Sequence, residues 1–248
     1  MFTTTNALVL REVRYKEADR ILTLLTSSEG KISVKARGAL RKGSRMAAAT
    51  QQLTYSELTL FGNRGKWTVN EAVIKEPFTG LRGDIENFAL GCYFAECLES
   101  LSVEDQPDAA LLQLGLNSLY ALSNRLYSPE HIKAAFELRL MCLAGYEPEL
   151  KSCQVCGETE MEQPVLKLSG GYVCCRRCDD GKGEYARLCP DSLKALRYIA
   201  SAPAKQLFSF RLSDEALMRL GSATERYLLV HTERQFQTLN YWKNIRIK

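Results

Sequence analysis

The hydrophobic period of the sequence changes once, near Gly83, and this change sets the fold class. Before Gly83, short segments rich in Leu, Ile, Val, Thr and Tyr are separated by turn sequences, SSEG at 27–30 and GNRG at 62–65. After Gly83, apolar residues recur at intervals of three and four from Ile85 to Leu101, which is the period of an amphipathic helix. Strands followed by helices predict an α+β chain.

Residues 1–80 predict a first domain made of strands. They contain five strand-like segments and no long helical pattern, which indicates a small barrel or sandwich. The segments are NALVLREV, RILTLLT, KISVKARG, LTYSELTLF and KWTVNEAVIKE.

Residues 81–248 predict a second, helical domain. A leucine-rich segment repeats the helical spacing, and in the segment after it Ser128 can cap a helix whose first residue is Pro129. Gly145 suits the end of that helix. Further helices are expected to begin near Pro190 and Ser213.

One segment of this second domain, at about 150–189, has little apolar material with which to form a core. It carries two C-x-x-C pairs separated by 18 residues, a spacing typical of zinc sites in which two turns each present two thiolates. Four thiolates leave no open position for water, so the expected role of the ion is structural. The predicted zinc ligands are Cys153, Cys156, Cys175 and Cys178.

The other cysteines leave alternatives open. Cys174 adjoins Cys175 and could replace it as a ligand, and Cys189 is a weaker alternative. Redox-active or inert thiols are the alternatives to a metal site. Three further cysteines lie on predicted helices and are interpreted as core residues: Cys92, Cys97 and Cys142.

The composition is that of a globular protein, and its charge is unevenly divided. No apolar run approaches the roughly 20 residues that span a bilayer, and the N-terminus lacks the pattern of a secretion signal, so a cytoplasmic location is expected. The net charge of +4 comprises +6 for residues 1–80, −7 for 81–150 and +5 for 151–248. Such a division indicates surfaces for different partners.

Catalytic motifs are absent from the sequence. It contains neither G-x-x-x-x-G-K-[ST] nor G-x-S-x-G nor H-E-x-x-H. The two histidines, His131 and His231, are expected to have surface or capping roles. A non-enzymatic protein is therefore predicted, and an enzyme with an unfamiliar site is the alternative.

A basic run, KARGALRKGSR at 35–45, continues a strand whose alternate residues are also cationic. If KISVKARG is a strand, Lys31, Lys35 and Arg37 lie on the face opposite its apolar residues. Such a row of cations complements the row of phosphates along a nucleic acid. Trp67 could stack on a base, although an aromatic residue in a small barrel more often belongs to the core. The predicted nucleic-acid-binding residues are Arg14, Lys16, Arg20, Lys31, Lys35, Arg37, Arg41, Lys42, Arg45, Arg64 and Lys66.

Several motifs of the chain are shared with a known family. The N-terminal ones are R-Y-x-E-x-D-x-I at 14–21, Gly-Lys at 30–31 and Ala-Arg-Gly at 36–38, and FELRLMCLAGYEPELKSCQVCG and VCCRRC follow at 136–157 and 173–178. With these motifs the chain resembles the RecO family of bacterial DNA repair proteins. It departs from the family pattern after Arg45, where MAAATQQ has fewer charges and no proline.

The resemblance implies an N-terminal OB-fold barrel followed by a helical domain that carries the zinc module. It further implies binding of single- and double-stranded DNA, annealing of complementary strands, and action with RecR in loading RecA onto DNA coated by single-strand-binding protein. A contact with the C-terminal tail of single-strand-binding protein through the helical domain is also implied. The alternatives are a zinc-containing enzyme acting on nucleic acid and an OB-fold RNA-binding module.

Overall fold

A computed structural model describes residues 1–63 and 65–246 of the chain. The strands are β1 (Phe2–Tyr15), β2 (Asp19–Thr26), β3 (Lys31–Ala36), β4 (Tyr55–Asn63), β5 (Lys66–Glu76), β6 (Pro164–Lys167), β7 (Tyr172–Cys175) and β8 (Tyr185–Arg187). The α-helices are α1 (Thr79–Arg82), α2 (Ile85–Leu101), α3 (Ala109–Ser123), α4 (Pro129–Leu143), α5 (Pro190–Ser201), α6 (Asp214–Thr232) and α7 (Gln237–Arg246), with a short 3-10 helix at Ala204–Gln206.

Strands β1 to β5 close into a barrel in the order β1-β2-β3-β5-β4. The closing pair, β3 and β5, is parallel, and Val34 lies opposite Trp67. Inward-facing side chains such as Leu22 and Leu58 are fully buried in one apolar cluster, and each buried leucine contributes about 1.5–3 kcal/mol. The predicted barrel is confirmed, and it is OB-like.

Strand β3 alternates as its sequence predicts. Ile32, Val34 and Ala36 are buried in the barrel core, whereas Lys31 and Lys35 are partly exposed on the other face. The period of two along a strand produces this separation. Side chains of opposite character therefore leave β3 on its two sides.

The structure contains two compact units. One comprises Met1–Asn124 together with the chain from Phe236 onward, and the other comprises Arg125–Gln235. The first unit therefore includes the barrel, helices α1 to α3 and helix α7. The division into domains 1–80 and 81–248, which rests on the sequence pattern, stays a prediction.

Helix α7 belongs to the first unit although it ends the described chain. Leu239 and Trp242 on α7 are almost fully buried. The ring of Phe236, just before the helix, lies 5.7 Å from that of Tyr93 on α2 in an edge-on arrangement. The last described helix therefore completes the apolar packing of α2.

In the second unit, helices α4, α5 and α6 accompany a three-stranded sheet of order β7-β6-β8. The Ser128 hydroxyl caps α4 by accepting a hydrogen bond from the amide of His131, and Pro129 is the first residue of the helix, as expected. Helix α6 likewise begins after Ser213. These helix starts follow the local sequence because a cap is a local interaction.

His131 differs from its expected surface or capping role. Its ring is buried and stacks on Phe210 with 3.9 Å between ring centres, and on Tyr127 at 5.0 Å. One ring nitrogen lies 3.0 Å from the carbonyl oxygen of Phe208. Burial lowers the pKa of this imidazole. Phe208 and Phe210 lie more than 75 residues later in the chain, so the helical position of His131 alone did not reveal this packing.

Across residues 1–63 and 65–246, no helix has both the length and the apolar character that a membrane span requires.

Candidate nucleic-acid interface and metal centre

The cationic surface is built where the β1–β2 hairpin meets the start of the connection between β3 and β4. The amide of Gly38 donates a 2.8 Å hydrogen bond to Asp19 Oδ1, and the amide of Leu40 donates to the carbonyl oxygen of Ala18 at 2.9 Å. Gly38 has a φ of +67°, a backbone conformation that favours glycine. The hairpin therefore holds the basic connection at its first residues.

Lys35 lies at the centre of this junction. Its amino group is 2.9 Å from Asp19 Oδ2 and 4.9 Å from the ring centre of Tyr15. The amide of Gly38, followed by Lys35, lowers the pKa of the Asp19 carboxyl. Lys35 thus contributes charge to the surface and also fixes the carboxylate that orients the connection.

Beyond the junction, the predicted cations of the connection are exposed. None of their side chains forms an ion pair or a hydrogen bond with any residue that the structure describes. The connection turns again at Gly43, whose φ is +77°. We name these four residues the loop cations: Arg37, Arg41, Lys42 and Arg45.

Arg20 is placed differently from the other predicted cations. It is buried, and its Nη1 donates to the carbonyl oxygen of Ala47 at 2.8 Å and to Thr50 Oγ1 at 3.0 Å. The same nitrogen lies 3.3 Å from Glu12 Oε2. The contacts of Arg20 therefore anchor the second half of the β3–β4 connection to the barrel.

Lys31 also lies apart from the junction. It is four residues from Lys35 along β3, about 13 Å at the rise of a strand. Its amino group donates a 2.9 Å hydrogen bond to the carbonyl oxygen of Glu99 at the end of α2. Lys31 therefore connects the barrel to α2 within the first unit.

The remaining predicted cations are Arg14, Lys16, Lys66 and Arg64. Arg14 and Lys16 are exposed at the β1–β2 hairpin, and the Lys16 amino group lies 5.6 Å from the ring centre of Tyr15. Lys66 is exposed at the start of β5. Trp67 is partly buried against the barrel core, as the core interpretation expected. Arg64 lies outside the described residues.

The four predicted metal ligands lie together in the second unit. Their sulfur atoms are all within 4.8 Å of one another. Cys175 Sγ is 3.9 Å from Cys153 Sγ and 3.8 Å from Cys156 Sγ. Sulfurs bound to one tetrahedral ion at the usual Zn–S length of about 2.3 Å would be separated by about 3.8 Å. The four cysteines could therefore hold a metal ion.

Two short turns present these cysteines. In the first turn, the amide of Gly157 donates to the carbonyl oxygen of Cys153 at 2.9 Å, with Gly157 at a φ of +77°. In the second, the amide of Cys178 donates to the carbonyl oxygen of Cys175 at 3.0 Å. The amide of Cys175 also donates to Cys153 Sγ at 3.3 Å, which links the two turns and favours the thiolate form.

The two competing cysteines lie outside this group. Cys174 is buried on β7, where adjacent residues face opposite ways, and burial raises the pKa of its thiol to about 11. Cys189 precedes α5, and its sulfur lies 3.3 Å from Ser192 Oγ. Neither belongs to the cluster of sulfur atoms among the described residues.

A buried ion pair beside the second turn was not predicted from the sequence. Lys167 on β6 is buried, and its amino group lies 2.6 Å from Asp179 Oδ1 and 2.8 Å from Asp180 Oδ1. These contacts raise the pKa of Lys167 and lower those of both carboxyls. The pair ties the chain just after Cys178 to the sheet. The only sequence feature that pointed to this ion pair was a lysine within the apolar segment PVLKL.

Family models cover nearly the whole chain. The model described as Recombination protein O N terminal matches residues 1–78. The model described as Recombination protein O C terminal matches residues 82–240.

Curated relatives extend over the same length. The DNA repair protein RecO of Acetivibrio thermocellus is 37% identical over 246 residues, which cover 98% of each chain. The protein of the same name from Symbiobacterium thermophilum is 32% identical over 248 residues, covering 97% of this chain and 96% of the relative. The barrel, the cysteine cluster and these matches together show that the chain belongs to the RecO family of DNA repair proteins.

Proposed function

We propose that this protein is a non-enzymatic mediator of DNA repair and recombination that binds single- and double-stranded DNA and anneals complementary strands. The observation that carries this proposal is the group of loop cations. They are exposed, they have no acidic partner among the described residues, and the hairpin holds the chain at their first member. A cation without a protein partner can displace the counterions of a phosphate without first losing an internal ion pair.

The arrangement favours contact with the phosphate backbone over reading of base sequence. Arginine and lysine side chains on a connection can follow a flexible single strand, and annealing requires that the bases stay free to pair. The proposed surface comprises the loop cations with Lys35, Arg14, Lys16 and Lys66. Arg20 and Lys31, whose contacts lie within the protein, would support this surface indirectly.

The proposed metal is one structural Zn²⁺. Four thiolates in a tetrahedral arrangement are the donor set that zinc prefers in structural sites. Such an ion would hold the two turns together in a segment that has little apolar core of its own.

The proposed partners are those of the family. The chain would act with RecR, bind the C-terminal tail of single-strand-binding protein, and thereby help RecA to load. The proposed place of action is the cytoplasm, at the nucleoid. The family assignment supports these proposals, and an annealing assay with and without RecR and single-strand-binding protein tests them.

The DNA surface is tested by neutralising the loop cations in the variant Arg37→Gln/Arg41→Gln/Lys42→Gln/Arg45→Gln. For single-stranded DNA, the slope of log affinity against log salt should become shallower by about 0.7 for each phosphate that is no longer neutralised, and by up to about 2.8 for four phosphates. Affinity should fall equally for oligonucleotides of different sequence. Fluorescence anisotropy with labelled oligothymidylate over a salt series measures both effects.

The matched control removes four positive charges from exposed positions in the second unit: Lys151→Gln/Lys194→Gln/Lys205→Gln/Arg211→Gln. This control should retain most of the salt slope. Equal slopes for the two variants would reject the loop cations as the DNA surface. A parallel series with RNA of the same sequence separates a DNA-binding protein from an RNA-binding module.

A further inference from the structure

Three arginines line one cavity in the second unit. The proposed function does not involve this cavity. The cavity has a volume of about 420 Å³, and no acidic residue lines it. Its arginines are Arg176, Arg187 and Arg219. They come from three separate elements: the turn after β7, the end of β8 and the second turn of α6.

The three-stranded sheet fixes two of these arginines on either side of its central strand. The amide of Arg176 donates to the carbonyl oxygen of Gln163 at 3.1 Å, and Arg187 pairs with Val165 in the register of β6 and β8. β7 and β8 both neighbour β6, and the two arginines lie opposite residues that are two positions apart on β6, so their backbones are about 12 Å apart. Two arginine side chains extending from such positions can reach one anion between them.

The third arginine comes from the face of α6 that is tied to β8. Arg226 on that helix donates a 2.8 Å hydrogen bond to the carbonyl oxygen of Tyr185. Arg219 lies seven residues earlier, so it lies on the same side of α6, two turns away. The attachment of α6 to β8 therefore places the Arg219 side chain at the cavity.

Internal ion pairs compete weakly with a ligand at this cavity. Arg187 has no acidic partner among the described residues, and its guanidinium lies 5.9 Å from the Tyr185 ring. Arg219 pairs with Glu215 at 2.6 Å, but the Glu215 side chain is 68% exposed, and pairs of this kind contribute little. Arg176 is 3.8 Å from Asp179, and the carboxylate of Asp179 already forms an ion pair with Lys167 at 2.6 Å.

The lining also indicates which anion fits. Val165 and Leu188 line the cavity but are 1% and 2% exposed, so they present almost no apolar surface to a ligand. A peptide that depends on apolar side chains would find no pocket for them. Guanidinium groups, by contrast, match phosphate oxygens with paired hydrogen bonds.

We propose that Arg176, Arg187 and Arg219 form a phosphodiester-binding site, separate in sequence from the loop cations, through which the second unit contacts the backbone of a nucleic acid. The proposal rests on the proposed DNA binding and extends it, since each compact unit then carries its own phosphate site. A protein that anneals strands needs to hold more than one of them. Two sites in one chain meet that need.

The test removes two of the arginines in the variant Arg187→Gln/Arg219→Gln of the full chain. Arg176 is left in place because it adjoins Cys175. The control, Lys205→Gln/Arg211→Gln, removes the same charge from exposed positions of the same unit that do not line the cavity. With two fewer phosphates neutralised, the salt slope for oligothymidylate should be shallower by up to about 1.4 than that of this control. Equal thermal midpoints of the two variants exclude unfolding as the cause.

The outcomes separate this inference from the proposed function. If the wild-type protein binds oligothymidylate and the double variant matches its control in affinity and slope, the arginine site is rejected while DNA binding stands. If the wild-type protein binds no DNA, the proposed function fails first. Two further arms use polyglutamate and inorganic phosphate as probes. An effect of the double variant on either probe without an effect on oligothymidylate would overturn the phosphodiester assignment.

Discussion

At the scale of single residues, Asp19 holds the start of the basic connection, which belongs to the proposed DNA surface, without carrying positive charge itself. One carboxylate oxygen accepts from the amide of Gly38 and the other pairs with Lys35, so one side chain joins β2, β3 and the connection after β3. Charge-assisted hydrogen bonds are roughly twice as strong as neutral ones. The ionised state of Asp19 should therefore set how firmly the basic connection is held.

The substitution Asp19→Asn should loosen the connection in a pH-dependent way. Because the folded-state pKa of Asp19 is lowered, its stabilising contribution is present above the ordinary carboxyl value of 3.8 and is lost as the pH falls through the lowered value. At neutral pH the amide of Gly38 should exchange its hydrogen a few-fold faster in the variant. The difference should disappear at a pH below the lowered pKa.

Hydrogen-exchange mass spectrometry over the 37–54 connection measures this effect. The control Glu17→Gln removes an exposed carboxylate from the same hairpin and should leave the exchange unchanged. Equal exchange in Asp19→Asn and wild-type protein at neutral pH would show that Asp19 does not hold the connection.

The sequence predicts which residues of β3 face outward, but it does not distinguish cations that are free from cations that are engaged. Alternation is a property of neighbouring residues, so Lys35 could be placed from KISVKARG alone. The Arg20 guanidinium, in contrast, bonds to Ala47 and Thr50, which lie 27 and 30 residues later in the chain. No local pattern contains such a contact.

At the scale of elements, the cysteine module and the β3–β4 connection are both held by a few polar contacts. The module has short strands of three and four residues and depends on its two turns for shape. The cluster of its four cysteines was predictable because C-x-x-C spacing is local and typical of metal-binding turns. The ion pair between Lys167 and Asp179 could not be predicted, because only the folded chain brings the two residues together.

If the four cysteines hold the proposed zinc ion, the substitution Cys156→Ser should release it and unfold the module. Apparent binding energies of structural zinc are about 10–16 kcal/mol in small zinc domains, and this energy contributes to folding. We expect bound zinc to fall well below one equivalent and residues 150–189 to become sensitive to protease, while the barrel stays folded. Atomic absorption and limited proteolysis measure the two effects.

The control for this prediction is Cys189→Ser. Cys189 lies at the start of α5 outside the sulfur cluster, and serine is a favourable residue at that position. This variant should keep one equivalent of zinc. Loss of zinc in both variants, or in neither, would contradict the assignment of the ligands.

At the scale of the whole molecule, the first compact unit is discontinuous in sequence. It is formed from Met1–Asn124 and from the chain after Gln235, with 111 residues of the other unit between them. Sequence patterns predicted the helices α2 to α6 but neither α7 nor this arrangement, because the partner of α7 lies on α2, more than 130 residues earlier. Thr238 illustrates the distance, since its amide donates to Glu96 across 142 positions.

Truncation of the side chain in Trp242→Ala should therefore destabilise the first unit. Trp242 is 3% exposed, and substitution of a buried tryptophan by alanine typically costs about 3–5 kcal/mol. Urea denaturation monitored by circular dichroism measures the loss. The control Tyr241→Ala, on the same helix but 51% exposed, should cost less than about 1 kcal/mol. Similar costs for both variants would argue against the packing of α7 on α2.

The position of α7 also governs the order in which the protein can mature during translation. Residues 125–235 leave the ribosome before α7 does, so the second unit can complete its fold while the first unit still lacks a helix. The apolar side of α2 then stays uncovered until Leu239 and Trp242 emerge and cover it. A nascent chain stalled before α7 should therefore bind chaperones that recognise exposed apolar segments. Emergence of α7 ends that exposure.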